Sequence, residues 1–272
     1  LRRVRTAKPK GPWHDAGALL SWVAVTLGVV AQIAGDGWAV LAGLVFFVMG
    51  LAHGAGDENE GGIARIKLVH GAAYLVTGAA VAALFLFAPL AGLALFLALS
   101  AWHFARSDCA FDPLTRYAIA GLAVGGSALF RPGETAEVFA VIVGGEVPAL
   151  VIRVLALLGV AGTGAAAWAL VKGLRGFGHA VIALAATVLF NPVLAVGLIF
   201  LTAHAIPVQQ RQIANYGRST VWRAVALPTL IATLGALGIA ALVWTGHLAL
   251  PIAIALAFGM ATPHMLTERL ER

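Results

Sequence analysis

The chain has 272 residues, of which 61% are hydrophobic and only 11% charged. Soluble domains are about 45–50% apolar, so this composition excludes a soluble globular enzyme and implies a polytopic membrane protein. The formal net charge of +6 would suggest nucleic acid in a soluble chain, but here the basic residues fall between apolar runs, where membrane orientation accounts for them and nucleic acid is not a partner.

The first stretch, Leu1–Lys10, is basic. No small-residue cleavage site closes the apolar run after it, so it does not read as a signal peptide. Residues 1–15 are expected to be a basic cytoplasmic segment, and residues 16–272 a single transmembrane helical domain. A spanning helix needs about 20 largely apolar residues. Runs at 16–34, 38–56, 66–88, 90–106, 114–131, 148–171, 177–190, 192–208, 221–245 and 248–267 read as helices. The expected fold is therefore all-α, a transmembrane bundle of about ten spans. The two runs that meet at Asn191-Pro192 are short, which leaves eight or nine full spans as the alternative. Other breaks fall at Asp36-Gly37, Pro89, Pro113, Pro132-Gly133 and Thr245-Gly246, each with a residue type that ends helices. Glu134–Val147 reads as a loop with an interfacial apolar turn, and Pro148 suits the first position of the next helix. Thirty-two glycines suit close helix contact in lipid.

Basic residues give the orientation. With the N-terminal cluster in the cytoplasm and ten alternating spans, only Arg131 and Arg153 of the 18 basic residues fall on the outer side. This positive-inside split places both termini in the cytoplasm and the chain in the cell (inner) membrane as a multi-pass protein.

The densest chemistry lies at Gly50–Gly61, where one histidine and three carboxylates follow a long apolar run. If the helix from Trp38 continues through it, His53 and Asp57 share a face. In the expected topology His53, His103, His204 and His264 all lie at the inner ends of spans running in the same sense. A lone histidine there is ordinarily an interfacial residue. Four in register point to a metal, because an imidazole in a membrane interior is costly unless it is paired or ligating. One cysteine, Cys109, allows no thiolate site, so iron or zinc is favoured over copper(I). His70 and His179 begin helices and read as interfacial or as supports for the ligands; His14 and His247 read as solvent-facing.

Asp57 and Asp108 lie four and five residues after His53 and His103, where each could accept the second ring N–H of a ligating imidazole. The alternative is a solvated acidic loop, which suits Glu58 and Glu60 better, although direct ligation by either stays open. Asp112 and Cys109 read as loop residues.

Gly-x-x-His-Gly-x-x-Asp at Gly50–Asp57, Ser-x-x-His-Phe at Ser100–Phe104 with Asp108, the His204 helix preceded by Asn191-Pro192, and Pro263-His264-Met265 together resemble the Brp/Blh family. Those proteins are integral-membrane, iron-dependent β-carotene 15,15′-dioxygenases that supply retinal to microbial rhodopsins. The resemblance implies an Fe(II) cofactor on His53, His103, His204 and His264, with Asp57 and Asp108 orienting the first two rings. It implies a lipid-soluble carotenoid and O2 as substrates, membrane lipid as surroundings and a functional link to a rhodopsin. Tyr74, Trp102, Phe104 and Phe200 are candidates to line the substrate path, with helix packing as their ordinary role. Two positions depart from the family pattern: Val208 stands where the second histidine of a His-x-x-x-His pair is expected after His204, and Ala105 where glycine is expected. Two readings of another class remain beside this one. Facing histidines can hold haem in an electron-transfer or haem-handling protein, and Asp57 with histidines could relay protons in a transporter.

Overall fold

The computed structural model describes residues 16–54, 58–59, 62–63, 68–107 and 110–270. Among them the helices are α1 (Ala16–Ala34), α2 (Asp36–Gly54), α3 (Leu68–Phe87), α4 (Pro89–Ser107), α5 (Pro113–Gly121), α6 (Ser127–Phe130), α7 (Pro132–Val143), α8 (Ala149–Lys172), α9 (Phe177–Leu189), α10 (Pro192–Ile199), α11 (Ile206–Tyr216), α12 (Arg218–Trp244) and α13 (Leu250–Leu270). Wide π turns at Leu122–Gly126 and Phe200–Ala205 join α5 to α6 and α10 to α11, so each pair is one continuous rod. The extended structure among the described residues is a two-residue ladder, Glu58–Asn59 against Gly62–Ile63. The described residues are all-α in every other respect.

Proline sets many of the starts. Pro89, Pro113, Pro132 and Pro192 each open a helix, where the missing N–H is no loss. The Asn191 side chain accepts the Val193 N–H at 3.0 Å and caps α10. Gly144 and Gly173 end α7 and α8 in the left-handed conformation.

Each of the ten expected runs is helical over most of its length, but the number of spans is a separate matter. Six helices among the described residues are long and apolar enough to cross a membrane: Gly17–Ala34, Asp36–Gly54, Pro89–Arg106, Ala149–Lys172, Pro192–Tyr216 and Arg218–Trp244. Gly71–Phe87, Phe177–Leu189 and Leu250–Pro263 are apolar but shorter, and the run expected at 114–131 falls in neither group.

Three boundaries differ from the sequence expectation. Pro132–Val143 is a helix, where a loop was expected: Pro132 opens it, and Glu134 in its first turn pairs with Arg131 at 2.7 Å. The helix expected to stop at 208 continues to Tyr216, because the π turn lets the chain pass Pro207 without breaking. The helix entering from Trp38 is described to Gly54 and Glu58–Asn59 is extended, so it does not run through the whole acidic stretch; Asp57 lies outside the described residues.

Large apolar side chains such as Leu157, Leu227 and Trp244 point outward, as they do where lipid is the solvent. Burial is uneven: 72% of an apolar 18-residue stretch of the Pro192–Tyr216 rod is inside the protein against 6% of the corresponding stretch of Arg218–Trp244. The α10–α11 rod is therefore the central post, and α2, α9 and the first helix pack on it. A second group, α3, α4 and α13, shares its own core of Val81, Phe85, Leu93 and Ala255.

Small residues fix the contact between α2 and the central rod. A Cβ on Gly43 would lie 2.6 Å from the Val193 carbonyl oxygen, and one on Gly197 would lie 2.4 Å from the Gly43 carbonyl oxygen. Without a hydrophobic drive between helices in lipid, such close backbone approach is what holds them. Further along, Gly50 faces Phe200 and His53 faces His204. Residue numbers rise together on both rods, so the two run parallel and carry their histidines to the same end.

Candidate metal centre

Three of the four candidate histidines meet. His53 comes from the last turn of α2, His103 from the last turns of α4, and His204 from the π turn of the central rod. All three are buried, His204 to within 1% of complete. The Nε2 of His204 lies 2.9 Å from that of His103 and 3.1 Å from that of His53. One ligand nitrogen from each ring falls within 4.8 Å of the other two.

Proton counting shows what this cluster suits. The Nδ1 of His53 approaches the Gly50 carbonyl oxygen, three residues back. A carbonyl only accepts, so Nδ1 carries the proton and the His53 Nε2 presents a lone pair. The His204 Nε2 can hold one proton at most. Donated to either neighbour, it leaves the other contact without a shared proton; if instead the His204 Nε2 is bare and accepts from His103, two lone pairs face each other across the His53 contact at 3.1 Å. No neutral tautomer set satisfies both contacts, whereas one cation satisfies all three nitrogens. The magnitudes agree: interhelical hydrogen bonds in membranes average about 0.6 kcal/mol, while a structural zinc ion bound by protein side chains is worth roughly 10–16 kcal/mol. The donor set fits a metal ion.

The surroundings are dry and shaped. Phe200 sets its ring edge-on to His53 with centroids 5.3 Å apart, and Phe104 does the same to His204 at 4.9 Å. Phe47 supports Phe200 at 5.3 Å. Gly50 makes room for that ring, since a Cβ there would lie 2.2 Å from a Phe200 ring carbon. The glycine three residues before His53 thus supplies both the carbonyl that fixes the imidazole and the gap for its aromatic cover.

Other sequence candidates fall as follows. Tyr74 is at the seam of α3 and α13, donating its hydroxyl to the Met260 carbonyl at 2.8 Å. Trp102 is next to His103 in sequence but turned about 100° round the helix and one-third exposed, at 36%. Val208 is buried in α11. His264 lies on α13, whose side chain is not among those described; its neighbour Met265 meets Ser100 at 3.9 Å, one turn before His103 on α4. Asp57 and Asp108 lie outside the described residues, as do His14, Cys109 and Glu60; of Glu58 and His70 only the backbone is described.

Two contributors were missed in the sequence. Gln212 is 3% exposed and donates its amide to the His53 carbonyl at 3.3 Å, tying the end of α2 to α11. Nothing in a polar stretch such as Gln209-Gln210-Arg211-Gln212 marks one glutamine as buried. The π turn that carries His204 did leave a trace: Pro207 in mid-rod forbids the regular i→i+4 pattern three residues after the histidine.

Comparison with known proteins adds one finding. The family profile described as beta-carotene 15,15′-dioxygenase matches residues 44–270, which takes in all three clustered histidines and His264. No curated protein and no solved structure matches the chain.

Proposed function

The chain belongs to the β-carotene 15,15′-dioxygenase family, and from that premise we propose that it is a membrane enzyme splitting β-carotene at its central double bond to give two molecules of retinal. Both oxygen atoms of one O2 end as the two aldehyde oxygens, so the reaction consumes neither water nor an external reductant. The observation that carries this reading is the convergence of His53, His103 and His204 on one point. The proposed ion is Fe(II), held by these three with His264, whose sequence neighbour Met265 meets Ser100 on α4. When bound, ferrous iron supplies O2 activation beside the alkene.

The chain's own residues do the rest. The Gly50 carbonyl takes the His53 Nδ1–H, so of the two carboxylates Asp108 is the one proposed to orient a ring, that of His103, and Asp57 is left as a neighbour of the site in sequence. Phe104 and Phe200 keep water from the centre and offer flat apolar faces to a polyene; Tyr74 and Trp102 are proposed further out on the same path. Carotenoid dissolves in the bilayer, so entry between helices needs no aqueous cleft. Ten spans, cytoplasmic termini, a single domain over 16–272, residence in the cell membrane among its lipids and supply of retinal to a microbial rhodopsin complete the proposal. The parallel run of α2 and the central rod supports that topology.

The haem reading is disfavoured by geometry. A porphyrin between His53 and His103 needs clear space in its plane, and the His204 Nε2 lies within 3.1 Å of both partners. The test is expression in a β-carotene-producing host: wild type yields retinal and purifies with iron, and His53→Ala or His103→Ala yields neither. Unchanged retinal from either variant would sink the proposal.

A further inference from the structure

His53 is held by its backbone as well as by its ring. The ring Nδ1 meets the Gly50 carbonyl within α2. The residue's own carbonyl accepts the side-chain amide of Gln212 at 3.3 Å. A carbonyl only accepts, so the nitrogen end of that amide is the one turned toward it. Gln212 belongs to α11, eight residues beyond His204 on the central rod, and is buried. The rod therefore carries one of the clustered imidazoles and grips the backbone of a second.

The grip comes where an error would matter most. The Gly43–Gly197 seam sets α2 against the rod, but His53 lies ten residues beyond Gly43, about 15 Å of helix. A ligand atom has to sit within about 0.2 Å of its place. Over that lever the seam alone would have to fix the direction of α2 to about 1°. Close glycine contacts set how near two backbones come and restrain their angle less. A hydrogen bond weakens steeply when its donor is turned away, so it restrains direction as well as distance. Placed at the ligand residue itself, it gives α2 a second point of attachment to the rod.

We propose that Gln212 is a positioning residue for the metal centre: by holding the His53 carbonyl it fixes the end of α2 against the central rod, and with it the place of the His53 Nε2 beside that of His204. The proposal rests on the metal reading above, and the test separates the two.

Full-length chain in detergent is stripped with a chelator. Ferrous ion is titrated back, with Co2+ as a probe that absorbs in the visible. Gln212→Met keeps the length of the side chain and removes the donor. It is expected to weaken binding of both ions by about tenfold to a hundredfold, the size seen when a group that orients a metal ligand is lost, and to shift the visible band of the Co2+-loaded protein. Gln209→Met is the matched control, because the Gln209 amide nitrogen is buried and meets no acceptor among the described residues; it keeps wild-type affinity and spectrum. Wild-type affinity in Gln212→Met, beside a His53→Ala that has lost the metal, overturns this inference and leaves the metal reading standing. So does equal weakening in both glutamine variants, or weaker binding with an unchanged Co2+ band, since a packing role alone would produce either. Metal retained by His53→Ala overturns the reading beneath it. If Gln212→Met cannot be purified, Gln212→Asn, still polar but one methylene short of the carbonyl, is judged by the same outcomes.

Discussion

Gly50 shows how much one residue does at this centre. Adding a single methyl would place a carbon 2.2 Å from the Phe200 ring, in a helix end where His53 and Gln212 are both fixed in place. Gly50→Ala is expected to lower stability by about 1–3 kcal/mol, the usual cost of overpacking, and to weaken metal binding by displacing Phe200 from His53. Thermal unfolding in detergent and metal content per chain check both; wild-type values for both would contradict this account of the site. Among single residues the three clustered histidines were legible in the sequence, because imidazoles at the ends of apolar runs are expensive without a task. Gln212 was not. Its value comes from the one backbone carbonyl it meets on another helix, and no local pattern encodes that meeting.

Elements explain why histidines 151 residues apart in the chain face each other at all. The Gly43–Gly197 contact brings α2 and the central rod together well before the metal end, so errors there are carried along both rods. Gly197→Leu is expected to abolish metal binding and retinal formation although residue 197 touches neither. Gly164→Ala is the control: nothing lies within 4 Å of a Cβ there, and alanine's better helix propensity, worth up to about 1 kcal/mol, leaves stability equal or higher. Loss of metal in the control, or full binding in the Leu variant, would contradict the role given to the glycine seam. Apolar runs located most helices correctly because a span needs length and hydropathy and little else. They failed at α7, where twelve residues of mixed polarity hid a proline-started helix, and at Tyr216, where a π turn let the rod outlast a proline.

At the scale of the whole molecule, the proposed ion would tie three helices together and act as a clasp on the bundle. Any ligand bound only by the folded state stabilises it, by about 2.7 kcal/mol at a free concentration one hundred times Kd. Chelator treatment is therefore expected to lower the thermal midpoint of the wild type and to leave His204→Ala unmoved. Equal shifts in both would place the chelator's effect elsewhere. The membrane class was legible from composition alone, since it is an average over the chain. Which helices neighbour which was not, because it depends on glycine seams tens of residues from the groups they align.

Iron per chain, measured by elemental analysis on detergent-purified wild type and on His204→Ala, tests the central claim most directly. The account predicts about one iron per wild-type chain, no haem absorption band, and none of that iron in the variant. A wild type that never holds metal after reconstitution with ferrous ion, or a His204→Ala that holds as much as the wild type, would contradict it.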